Sequence, residues 1–66
     1  MQEEKTQPVM RILQVLPALE SGGVERGTVD LALFLKKEGH QPFISSNGGI
    51  LVEKLKKNKI THINLN

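Results

Sequence analysis

Val9-Met10-Arg11-Ile12-Leu13-Gln14-Val15-Leu16, closed by Pro17, is the stretch that decides the fold. In an extended chain, successive side chains point to opposite faces. Ile12 and Leu13 therefore face opposite ways, as do Val15 and Leu16, and both faces are apolar. Half-exposed antiparallel strands alternate apolar and polar residues, whereas strands covered on both sides in a parallel sheet do not. Pro17 cannot donate to a strand ladder and ends the segment.

Working outward, Pro17 to Gly23 reads as a loop, in which Ser21-Gly22-Gly23 can take backbone angles that other residues avoid. Val24, Thr28, Leu31 and Leu35 then recur at helical spacing, with Ala32 and Phe34 widening the stripe. Glu25 in the first turn and Lys36 and Lys37 in the last suit the helix dipole. Gly39 suits the left-handed position after a helix end, so the helix is predicted over Val24 to Glu38. Gly27 costs it about 1 kcal/mol relative to alanine. Gln41 to Ser45 is a predicted strand carrying Phe43 and Ile44, with Pro42 near its start because proline lacks the ladder donor. The turn cluster Ser46-Asn47-Gly48-Gly49 follows. A second helix is predicted over Ile50 to Asn58, with Leu51, Val52 and Leu55 on its apolar side and Asn58 as its cap. Ile60 to Leu65 is the third strand.

The order strand, helix, strand, helix, strand defines an α/β chain: a partial Rossmann-like β-α-β-α-β unit with parallel strands and right-handed crossovers. Residues 1–8 read as a disordered tail, and residues 9–66 as one incomplete amino-terminal Rossmann-like domain. Two right-handed crossovers in one direction place both helices on one face of the sheet. The other face then has no cover, although the first strand is apolar there. At ~25 cal/mol per Å², leaving several such side chains wet forfeits a few kcal/mol. A small domain has roughly 5–15 kcal/mol in total. The expectation is that more chain, a partner chain or self-association covers this face, and that the sequence stops at Asn66 before the domain is closed.

Composition narrows the function. The 66 residues suffice for one small domain. The absence of cysteine removes disulfides and thiolate metal sites, and the spacing of His40 and His62 fits no zinc motif. No metal, cofactor or catalytic residue is expected from this sequence. Nine basic and seven acidic residues leave a formal charge of +2. Lys54, Lys56, Lys57 and Lys59 form a solvated helix face that is also suited to peripheral association with an anionic membrane. With no Trp or Tyr, and Phe34 and Phe43 the only aromatics, base-stacking platforms are missing, so nucleic acid is not an expected partner. Neither an export signal nor a spanning apolar run is visible, and a cytoplasmic location is expected.

The loop carrying Gly22 and Gly23 follows a strand and opens a helix. Ligands of open α/β sheets bind beyond the carboxyl ends of strands. A helix start there offers unpaired N–H groups and positive dipole to an anion. Gly22 and Gly23 are accordingly the candidate substrate-binding residues; the alternative is a tight turn needed for geometry alone. Neither G-x-G-x-x-G nor G-x-x-x-x-G-K-S/T is present. Glu25 and Arg26 read as a dipole-favoured glutamate and a solvated arginine, with cleft contacts the alternative. His40 lies at the far end of the helix, and His62 reads as exposed on the last strand.

Met10-Arg11-Ile12-Leu13-Gln14-Val15-Leu16, Gly22-Gly23-Val24-Glu25-Arg26, Asp30-Leu31-Ala32 with Leu35, and Gly39-His40 together resemble the opening of family 4 glycosyltransferases of the GT-B fold. Ser45-Ser46 and Gly48-Gly49 ahead of Leu51 and Leu55 extend the resemblance, which covers about Val9 to Leu65. It implies the start of a GT-B amino-terminal domain, two facing Rossmann-like domains, and a cleft in which Gly22 and Gly23 approach the donor phosphates. It implies transfer from a nucleotide-sugar donor to an acceptor, in a setting such as cell-surface polysaccharide or lipopolysaccharide synthesis. The donor and acceptor would then be partners only of a completed enzyme, because the donor domain with its E-x7-E motif is not in this sequence. Pro42 and Gly27 are lesser departures from the family pattern. The chain alone is expected to be inactive. The competing readings are a small binding module completed by a partner and a remnant of a decayed gene.

Overall fold

The structure is a computed structural model, which describes residues 8–20 and 22–65. The tail expected over residues 1–8 lies outside the described residues except for Pro8, which is exposed. The elements are β1 (Arg11–Val15), α1 (Gly23–Lys37), β2 (Gln41–Ser46), α2 (Val52–Lys57) and β3 (Thr61–Asn64). The sheet order is β1-β2-β3 with both pairings parallel, which is the partial Rossmann-like α/β unit expected.

Register sorts the sheet residues by face. Ile12 and Gln14 pair with Pro42 and Ile44, and Ile44 pairs with His62. On the opposite face Leu13 pairs with Phe43, and Val15 and Ile63 both pair with Ser45. Val29 and Ala32 of α1, Ile44 of β2 and Leu55 of α2 form one buried cluster with Leu19 and Ile60. Because Ile44 shares that cluster with residues of both helices, α1 and α2 lie on the same face. The other face is open to solvent, with Leu13 54%, Val15 61% and Ile63 45% exposed.

The helices differ from expectation in detail. In α1 the buried residues are Val29 and Ala32, with Leu33 and Leu35 half-buried, whereas Val24, Leu31 and Phe34 are exposed. The helix is apolar on too many sides for spacing alone to choose its inner face; contact with Ile44 chooses it. Gln14 helps, since its Nε2 donates to the Thr28 carbonyl at 3.2 Å and ties β1 to α1. α2 is shorter than expected, and Ile50 is exposed ahead of it. Pro42 sits inside the central strand without cost. Gln41 N–H donates to Met10 O, and Ser45 O accepts from Leu16 N–H, so odd residues of β2 bond towards β1. Pro42 would donate towards β3, whose pairing begins only opposite Phe43.

Both helices end in the same left-handed motif. Gly39 N–H donates to Lys36 O and His40 N–H to Leu35 O at the end of α1. Lys59 N–H donates to Lys56 O and Ile60 N–H to Leu55 O at the end of α2. The left-handed residue is Gly39 (φ 92°) in the first and Lys59 (φ 58°) in the second. Asn58 caps α2 as expected, its Nδ2 donating to Lys54 O at 2.8 Å.

Denaturant melts will separate the two faces. Ile44→Ala is expected to cost about 2–5 kcal/mol, and Leu13→Gln no more than about 0.5 kcal/mol. A Leu13→Gln cost equal to that of Ile44→Ala would mean that the open face is covered in solution.

Candidate functional site

The candidate site is built from two loops at the carboxyl ends of the strands. Residues 16–20 and Gly22 follow β1, and residues 47–51 follow β2. Their backbones interlock. Leu16 N–H donates to Ser45 O at 3.0 Å and Asn47 N–H to Pro17 O at 2.9 Å. Leu19 N–H donates to Gly48 O at 2.8 Å, and Leu51 N–H to Leu19 O at 2.9 Å. The Leu19 side chain is fully buried beneath them. Gly49 has φ 145°, and a Cβ there would collide with the Leu19 carbonyl. Glycine at that position is a demand of the fold.

Two polar side chains brace the same loop from below. Ser46 is fully buried, its Oγ lies 2.7 Å from His62 Nε2, and it accepts the Gly48 N–H at 3.0 Å. His62 is half-buried, not exposed as the sequence reading had it. The missed signal is register: Ile44 and Ser46 lie two residues apart on the helix-covered face, and His62 pairs with Ile44. A histidine beside a buried hydroxyl finds its hydrogen bond there. His40 stays at the opposite end of β2, where its Nδ1 accepts Met10 N–H at 3.1 Å.

Gly22 and Gly23 behave differently from Gly49. Gly22 is the N-cap of α1, in extended backbone at φ −70° and ψ 167°, with no side-chain cap bond. Neither glycine uses the positive φ open to it, which occurs among the described residues at Gly39, Gly48, Gly49 and Lys59. A Cβ on Gly23 would meet nothing within 4 Å. A Cβ on Gly22 would meet only the Glu25 carboxylate, the far end of a flexible side chain. The turn reading therefore fails for Gly23: its own chain does not require glycine there. Ser21 lies outside the described residues.

The helix start is bare and exposed at Gly22, Gly23 and Val24. The first N–H groups of a helix have no intrahelical partner, so this end presents donors and positive dipole. Half-buried Glu25 brings one carboxylate back beside the Gly22 Cα. Donors and one carboxylate acceptor within a single turn suit a ligand that carries both an anionic group and hydroxyls. Arg26 begins the helical ladder, donating its N–H to Gly22 O at 2.9 Å. Among the described residues no group of His, Asp and Glu could hold a metal ion, and no helix is long and apolar enough to cross a membrane.

The fold matches the crystal structure of a glycosyltransferase from Rickettsia africae ESF-5, with a TM-score of 0.79 and 55% sequence identity. The match covers 91% of this chain and 16% of that chain. Neither a protein-family model nor a curated protein matches the sequence. The chain is thus glycosyltransferase-like over nearly its whole length and spans a small part of the enzyme it resembles.

Thermal melts of single alanine variants test the contrast among the glycines. Gly23→Ala is expected to leave stability unchanged or to raise it by up to about 1 kcal/mol. Gly49→Ala is expected to lose more than about 2 kcal/mol, from the unfavourable φ and the collision with Leu19 together.

Proposed function

We propose that this chain forms the opening β-α-β-α-β portion of the amino-terminal domain of a family 4, GT-B glycosyltransferase, with Gly22 and Gly23 at the donor phosphates. The observation that carries the proposal is Gly23. It is a glycine with ordinary backbone angles and empty space where a Cβ would stand. Where the fold makes no demand for glycine, close approach of a ligand to the backbone is a reason for one. The identity of 55% to a glycosyltransferase supports a ligand from sugar-transfer chemistry.

In this reading the α1 amino terminus donates its N–H groups to a phosphate oxygen of the nucleotide-sugar. The transition state for sugar transfer places negative charge on the departing nucleoside diphosphate, and donors fixed in advance stabilise it. Glu25 accepts a hydroxyl of the sugar or ribose. The residues that move protons and hold the nucleotide base come from outside these 66 residues, and the chain by itself transfers no sugar. The open face bearing Leu13, Val15 and Ile63 is where the rest of such an enzyme lays further elements.

A chimera tests this reading. The chain replaces the segment it matches in the Rickettsia africae glycosyltransferase, and release of nucleoside diphosphate is followed with a panel of nucleotide sugars. The chimera is expected to turn over, and Gly22→Val and Gly23→Val to lower kcat/KM for the donor about tenfold or more. The melting temperature of Gly23→Val should stay within a few degrees of the parent. Valine variants with unchanged donor kinetics would remove these glycines from the site and leave the fold standing.

A further inference from the structure

A cavity of about 290 Å³ lies at the other end of the sheet, lined by Lys36, His40, Gln41, Pro42, Phe43, Lys59 and Thr61. None of these residues is acidic. Lys36 and His40 belong to the closing turn of α1, and Lys59 is the left-handed residue that closes α2. The cavity therefore sits between two copies of the same helix-ending motif. It lies at the amino ends of β2 and β3, the length of the strands away from Gly23.

The two motifs use different residues at the same position. Gly39 adopts φ 92° in α1, as that position prefers, whereas in α2 a lysine adopts φ 58°. A side chain in that region is strained, and glycine would avoid the strain. Such strain marks places where the side chain has other work. Lys59 is one of the residues lining the cavity.

The donors there are complementary to one kind of ligand. His40 lines the cavity, and because its Nδ1 accepts the Met10 N–H at 3.1 Å, Nε2 is its remaining donor. Neither Lys36 nor Lys59 is paired with a carboxylate among the described residues. The lining residues Lys36, Lys59, His40, Thr61 and Gln41 carry two ammonium groups, an imidazole, a hydroxyl and an amide. The helix ends oppose an anion with roughly half a negative charge each, against two whole positive charges. Phe43 and Pro42 add apolar lining from opposite faces of β2 at its amino end. The volume falls at the small end of ligand cavities, which run about 300–1,000 Å³.

We propose that this cavity binds a small organic phosphate, its phosphoryl group held by Lys36, Lys59 and His40 and its apolar body against Phe43. A phosphate monoester carries about −1.5 to −2 charges near neutral pH, which matches two lysines better than a single carboxylate does. The site is separate from the sugar-transfer site and stands whether or not that reading holds.

The test uses the 66-residue chain with phenyl phosphate and inorganic phosphate as probes, at constant ionic strength. Phenyl phosphate is expected to shift the backbone amide resonances of Gln41, Phe43, Lys59 and Thr61 and to leave those of Gly23 and Gly48 in place. It should bind more tightly than inorganic phosphate, and Phe43→Leu should remove that preference. Lys59→Gly carries the sharpest expectation: it should raise the melting temperature by about 4–8 °C as the strain goes, and weaken phenyl phosphate binding about tenfold. Shifts spread evenly over Lys54, Lys56 and Lys57 would overturn the proposal, because they would report diffuse attraction. Unchanged binding by Lys59→Gly would overturn it as well.

Discussion

Ile44 is the residue at which this chain holds together. It lies at the middle of β2, which has a strand on each side, and it is fully buried in a cluster that takes Val29 and Ala32 from one helix and Leu55 from the other. Removing it would part α1 from α2 and leave each helix with only the edge of a core. Everything else is arranged by this contact. α1 turns Val29 and Ala32 inward in place of Val24 and Leu31 because those are the positions that reach Ile44. The opposite face of the sheet has no such contact, so equally apolar residues at Leu13 and Val15 remain exposed.

The same strand sets the loops at its carboxyl end. Ser46, two residues beyond Ile44, is buried beside His62 and holds the Gly48 N–H. That anchors the turn into which Leu19 and Gly49 fit backbone to backbone. The chain of constraint therefore runs from the core to Ser46, to Gly48 and Gly49, to Leu19, and then towards the start of α1. It stops before Gly23, which its own chain leaves unconstrained. Two pairs of adjacent glycines thus differ: Gly48 and Gly49 serve the fold through positive φ, whereas Gly23 has neither a positive φ nor a neighbour that a Cβ would meet.

Much of this was legible in the residues. The apolar pair Ile12 and Leu13 announced a parallel strand, and the order of elements announced the crossover topology and the face left open. Boundaries fell within a few residues. What was hidden was hidden for physical reasons. The apolar residues of α1 surround too much of the helix for a period of 3.6 to pick a side, and only Ile44 resolves the choice. Pro42 looked awkward because the start of β3 opposite Phe43 cannot be read from β2 alone. The contact of His62 with Ser46 depends on register between strands 16 residues apart in sequence. Gly22 and Gly23 were read as candidates for unusual backbone angles, and the structure removes that explanation while leaving their position beyond the strand ends intact.

The two edges of the sheet are unequal, and the inequality follows from the residues. β3 is four residues long, and Thr61 and Asn64 are polar and exposed. Short, polar edge strands resist further pairing. β1 is different. Gln41 N–H reaches Met10 O and Leu16 N–H reaches Ser45 O, so the even residues of β1 bond towards β2. Alternation along the strand turns the N–H and C=O groups of Arg11, Leu13 and Val15 away from β2. The residues with outward backbone groups are therefore the same ones whose side chains line the uncovered face. A strand with free ladder groups and bare leucine and valine side chains together carries only Arg11 as a guard. The two edges therefore differ in kind: β3 is short and polar, whereas β1 sets outward backbone groups beside exposed Leu13 and Val15.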